Sequence, residues 1–77
     1  MNHKIETLDL ISTPPPERPE KIFLKWNTLK SGEVLRIIND HDPRPLHDYF
    51  EKKQKGKFEW EYELKGPWPW IVKIKRK

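Results

Sequence analysis

Between Phe58 and Ile74 the chain alternates apolar and charged residues, and this period of two leaves little choice of structure. Phe58, Trp60, Tyr62 and Leu64 alternate with Glu59, Glu61, Glu63 and Lys65. After Gly66-Pro67, the residues Trp68, Trp70, Val72 and Ile74 share one parity, while Ile71, Lys73 and Lys75 take the other. Successive strand side chains point to opposite faces, so the segment reads as an antiparallel hairpin with one buried and one wet face. A turn centred on Pro67 pairs Trp60 with Ile74, Tyr62 with Val72 and Leu64 with Trp70 inside. Outside it sets Glu61 against Lys73 and Glu59 against Lys75, each pair contributing roughly 0.2–1 kcal/mol. A slip of one residue would send every side chain of one strand to the wrong face.

The rest of the chain must cover that buried face, because a lone hairpin is marginal in water. Ile5 to Leu10 reads as a first strand. Three successive prolines, Pro14 to Pro16, fit neither the middle of a strand nor that of a helix. They form a stiff extended arm leading to a helix start, with Pro19 in the first turn and Glu17 and Glu20 suited to its positive end. Ile22, Phe23, Trp26 and Leu29 then mark one helical face, leaving Leu24 off the stripe, and Gly32 supplies a left-handed residue beyond the helix. Glu33 to Asn39 is too apolar for an edge strand and is placed centrally. Pro45 opens a second helix carrying Leu46, Tyr49, Phe50 and the stem of Lys53, closed by Gly56.

The order β-α-β-α-β-β predicts an α+β two-layer sandwich, a four-stranded mixed sheet with two helices on one face. It is one domain over residues 1–77, with a basic tail at 75–77. Only 34% of the residues are hydrophobic, so the core must lean on four Trp, two Tyr and three Phe. A β-α-β unit of the ordinary hand makes the first two strands parallel. Their C-terminal ends then lie on one sheet edge, which brings residues 14–18 and 39–47 together beside both helix N-termini.

That edge is the candidate site. Asn39-Asp40-His41-Asp42-Pro43-Arg44-Pro45-Leu46 places two carboxylates, an imidazole and a guanidinium within eight residues, stiffened by two prolines. In the simpler reading the aspartates serve as turn and cap residues, and Arg44 binds a neighbouring carboxylate. In the functional reading Arg44 and a helix N-terminus receive an anion while His41 hydrogen-bonds or titrates. Glu17, Arg18 and His47 complete the candidate binding set: Glu17 could pair with Arg44 across the edge or simply favour the helix dipole. His41 and His47 are weak metal candidates, since the consecutive Asp40, His41 and Asp42 cannot all converge on one ion if extended. His3 reads as a tail residue. Trp68, flanked by Pro67 and Pro69, is the aromatic expected to be most exposed.

The formal net charge of +4 suggests a nucleic-acid partner, but its distribution argues otherwise. Lys75, Arg76 and Lys77 carry much of it, and Lys52, Lys53, Lys55 and Lys57 form a second knot where a helix should end, a place cations favour. The open hairpin face presents Glu59, Glu61 and Glu63, which would repel phosphates. Nucleic acid would have to use the lysine knot and the tail. With no cysteine the chain has no disulfide, thiolate metal site or thiol nucleophile. No stretch has the length and apolarity of a signal-peptide core or a membrane span, and a cytoplasmic location is expected.

The motifs Pro14-Pro15-Pro16-Glu17, Asn39 to Leu46 and Phe58-Glu59-Trp60-Glu61-Tyr62, followed by Gly66-Pro67 and an aromatic strand, resemble the TusA/SirA-like sulfur-carrier fold. They are most similar to a cysteine-less family of unknown function within it, and the resemblance spans nearly the whole chain. Ser12-Thr13 stands where that family usually has Gly-Leu. Relatives often adjoin hemerythrin-like or cupin domains, which implies redox or metal physiology. In sulfur carriers a Cys-Pro-x-Pro motif opens the first helix, and overlay puts Thr13 or Pro15 at the cysteine position, depending on register. Neither can form a persulfide, which requires a thiolate.

The absence of cysteine, of a nucleophile elbow and of a glycine-rich phosphate loop points away from catalysis. The reading is a non-catalytic ligand- or protein-binding module acting through the 14–18/39–47 edge, with no cofactor implied. Its partner is a protein or a small anionic ligand, and it is a monomer or weak dimer. The alternatives are a basic nucleic-acid binder and a component of a sulfur-relay or redox-metal system that borrows a partner's thiol.

Overall fold

A computed structural model describes residues 4–77; His3 lies outside them. The elements are β1 (Ile5–Asp9), α1 (Arg18–Thr28), β2 (Val34–Asn39), α2 (Arg44–Lys53), β3 (Phe58–Lys65) and β4 (Trp70–Arg76). They form the expected four-stranded mixed sheet, in the order β1-β2-β4-β3. β1 runs parallel to β2, while β4 is antiparallel to both β2 and β3. The apolar strand β2 is internal, as its composition requires.

Alternation decides which side chains reach the helices. Leu35 and Ile37 from β2 and Val72 and Ile74 from β4 are fully buried, in one cluster with Leu10, Ile22, Trp26, Leu29, Phe50 and Phe58. Both helices therefore cover the same sheet face. Trp26 meets Phe50 edge-on at 5.0 Å, and Phe50 meets Phe58 at 5.3 Å, the T-shaped geometry that the ring quadrupoles favour. Leu24, off the stripe, is 61% exposed.

The hairpin register holds from Phe58 to Tyr62, with Trp60 opposite Ile74, Glu61 opposite Lys73 and Tyr62 opposite Val72. It then shifts. Between Tyr62 and Leu64 an irregularity inserts one residue, so Leu64 faces Ile71 and Lys65 faces Trp70, in place of the expected Leu64–Trp70 pair. A bulge of this kind moves all later side chains to the other face. Leu64 joins Ile38 and Ile71 on the open side, where Ile71 is buried although its parity predicted a wet position. The bulge also brings Glu63 to Arg36 on β2, which it meets with two hydrogen bonds of 2.8 Å.

The proline arm differs from expectation as well. Pro14 is extended, but Pro15–Glu17 coil into a single 3₁₀ turn, with the Glu17 amide donating to the Pro14 carbonyl at 2.9 Å. A proline φ fits that turn as readily as an extended strand. Among the described residues only glycines have positive φ, so Ser12 and Thr13 take up no left-handed backbone. Gly32 and Gly56 turn the chain after each helix with φ of 89° and 78°.

Candidate functional site

The parallel β1–β2 pair ends in a cleft between the starts of the two helices. Leu10, Pro15, Ile22 and Phe23 line one side, Pro45, Leu46 and Tyr49 the other, with Asn39, Arg18 and His41 supplying polar atoms. Its volume is about 390 Å³, within the range of small-molecule pockets. The walls are apolar because the first turn of each helix opens with prolines and its inward stripe begins there.

Arg18 organises the floor. It is 8% exposed, and its guanidinium spends four of its five N–H bonds within the chain. Nε donates to the Thr13 carbonyl at 2.9 Å. Nη1 donates to Asn39 Oδ1 at 3.1 Å and Asp40 Oδ1 at 2.9 Å, and Nη2 donates to Asp40 Oδ2 at 3.0 Å. Asn39 continues the inward parity of Leu35 and Ile37, which is why a polar side chain at the strand's end reaches the core side. The Arg18 hydrogen bonds, and after them the His41 contact, hold the Asp40 carboxyl well below the usual carboxylate range.

His41 stands exposed beside the cleft, its Nδ1 2.6 Å from Asp40 Oδ1. An ionised carboxylate only accepts, so Nδ1 carries the proton, and Nε2 is left for whatever enters.

The candidate set thus divides. Arg18, Asp40 and His41 form one linked group. Asp42 turns away and accepts a 2.8 Å hydrogen bond from the Tyr62 hydroxyl; burial and this bond raise the Tyr62 pKa. His47 lies on the far flank of α2, stacked on Trp60 at 4.5 Å and 3.4 Å from Glu51, so the two candidate histidines do not converge. Glu17 and Arg44 are exposed, with no hydrogen bond or ion pair between them among the described residues. Among the described residues Arg44 makes no ion pair; Asp40 pairs with Arg18, the buried first residue of α1, which faces the end of β2. Among the described residues no group of three or more His, Asp or Glu side chains is placed to hold a metal ion.

Thr13, one of the two positions overlaying the sulfur-carrier cysteine, is buried, with its hydroxyl donating to the Asp9 carbonyl at 3.2 Å. Pro15, the other, lines the cleft. Sequence reasoning missed the apolar walls and Asn39. The strand parity of Asn39 was the available signal for the latter. Among the described residues no helix is long and apolar enough to cross a membrane.

Residues 7–76 match a family described as "Uncharacterized conserved protein (DUF2249)". The chain is also 33% identical, over 72 residues, to an Archaeoglobus fulgidus protein named "Putative sulfur carrier protein". That alignment covers 94% of this chain and 82% of the relative. The TusA/SirA-like resemblance agrees with both matches. No solved structure matches the chain.

Proposed function

This chain belongs to the DUF2249 family, and we propose that it acts as a non-catalytic binding module whose cleft takes an apolar group of a partner protein or small ligand. The observation that carries this reading is the apolar cleft between the helix starts, with His41 at its side and a neutralised ion pair as its floor. Arg18 is matched by Asp40, so the floor adds no net charge and one free guanidinium N–H. That favours an apolar body with a single polar group over the small anion suggested by the sequence.

The relative's name supports a carrier-like role, in which a small domain is docked by others. The carrier chemistry itself does not transfer, since a persulfide needs a thiolate and the chain has no cysteine. Any sulfur-relay role would use a partner's thiol with this cleft as the docking point.

The test is a ¹H–¹⁵N NMR titration with 4-phenylbutan-1-ol and, separately, 4-phenylbutyrate. Saturable shifts should centre on Ile22, Phe23, His41 and Leu46, and the two probes should bind with affinities within a few-fold of each other. Shifts centred elsewhere, or none that saturate, would overturn the assignment.

A further inference from the structure

The end of the molecule opposite the cleft gathers charge that the sequence keeps apart. α2 runs away from the cleft, so Lys52, Lys53, Lys55 and Lys57 lie where β3 begins. There the Lys77 amide donates to the Lys57 carbonyl at 3.0 Å, laying the basic tail against the lysine knot. The turn after α1 joins them: the Gly32 amide donates to the Arg76 carbonyl at 2.6 Å, which brings Lys30 to the same end. Eight of the chain's 16 basic side chains thus share one pole.

The seven lysines of the pole are exposed, and none makes an ion pair among the described residues. Arg76 is the exception in kind: it lies over the Trp26 ring at 4.8 Å and donates to the Trp26 carbonyl, so it serves the core. Lys52 and Lys53 offset the helix dipole of α2, but a half charge does not account for eight cations.

The chemistry of the pole selects among polyanions. Protein interfaces are enriched in aromatic residues and Arg and depleted in Lys, the reverse of this surface. Single-stranded nucleic acid is held by bases stacking on exposed aromatics, and the exposed aromatics, Tyr49 and Trp68, lie on the flank of α2 and in the β3–β4 loop. Flexible lysines without a stacking platform suit closely spaced phosphates read without regard to sequence. We propose that this basic pole binds the phosphate backbone of a nucleic-acid duplex, non-specifically and independently of the cleft.

The test is fluorescence anisotropy of a labelled mixed-sequence 20-base-pair DNA duplex. Contact with about four phosphates should weaken binding about 100-fold between roughly 50 and 200 mM salt. The variant K55E/K57E/K77E should lose at least tenfold in affinity at low salt. The variant K21E/R44E/K65E changes net charge equally at positions away from the pole and should stay within a few-fold of wild type. Thermal melts confirm that both remain folded; should either unfold, K55Q/K57Q/K77Q and K21Q/R44Q/K65Q replace the pair. Equal losses in both variants would mean that overall charge alone acts, and overturn the proposal. So would binding of labelled polyglutamate or of anionic lipid vesicles more tightly than the duplex at matched charge and salt, which would assign the pole to an acidic protein or a membrane surface.

Discussion

Arg18 and Asp40, 22 residues apart in sequence, close a two-point ion pair at 2.9 and 3.0 Å that ties the start of α1 to the end of β2. The pair fixes the cleft's floor and cancels the charge that an anion would have sought there. It also leaves His41 oriented by a carboxylate that is itself held by a guanidinium.

Acid should expose this linkage. A carboxyl whose folded pKa lies below its unfolded value near 3.9 stabilises the fold fully above that value, and the gain is lost as pH falls toward the folded pKa. The melting temperature of the wild type should therefore drop as pH falls below about 4. Asp40→Asn should melt lower at neutral pH and show a shallower acid decline. Glu63, whose pKa Arg36 also lowers, should behave alike in Glu63→Gln. Melting curves for wild type and variants that stay parallel down to pH 2.5 would contradict the assignment.

Tyr62 should act at the other end of the scale. Its pKa is raised by burial and then by the hydrogen bond to Asp42. A raised folded pKa stabilises below the unfolded value near 10, and that contribution disappears as pH rises through the folded value. Ultraviolet titration should find a tyrosine ionising above the usual phenol value, and Tyr62→Phe should remove that late step. The variant should cost about 1 kcal/mol in urea denaturation at pH 7, from the lost hydrogen bond.

The core is expected to be unforgiving. Trp26 is fully buried, and Trp26→Ala should cost about 3–5 kcal/mol, comparable to the whole stability of a domain this small. Trp26→Phe should be milder, because the indole N–H it removes is buried without a partner. Trp60 is only partly buried, so Trp60→Ala should cost less than Trp26→Ala while releasing His47. Urea melts of the three variants test that order.

Much of this fold was legible because period-two alternation reports directly on burial. Phe58 to Tyr62 and Val72 to Ile74 pair as their parity requires. The bulge beyond Tyr62 was not legible: Leu64 keeps the apolar parity, and the register change shows only in the folded pairing of Leu64 with Ile71 and Lys65 with Trp70. The site was half legible for a similar reason. Arg18, Asp40 and His41 stood out as charged residues at helix and strand ends, but a guanidinium's choice among several carboxylates is decided by packing. The burial of Arg18 beside the end of β2 gave it Asp40 and left Arg44 in solvent.

The β3–β4 turn offers a paired test of backbone and space. A Cβ on Gly66 would stand 2.6 Å from the Trp70 ring at a φ of 59°, whereas at Gly56 nothing lies within 4 Å. Gly56→Ala should cost only the left-handed strain of roughly 1–2 kcal/mol. Gly66→Ala adds a displaced indole and should cost clearly more, which denaturant melts will resolve. Equal losses would contradict the contact.

The binding role of the cleft is tested most directly by filling it. Leu46→Trp enlarges one wall from α2 at a partly buried position, and its melting temperature verifies the fold. The affinity for 4-phenylbutan-1-ol, measured by NMR on wild type and variant, should fall at least tenfold when the cleft is blocked. An affinity unchanged in a folded Leu46→Trp would contradict the account.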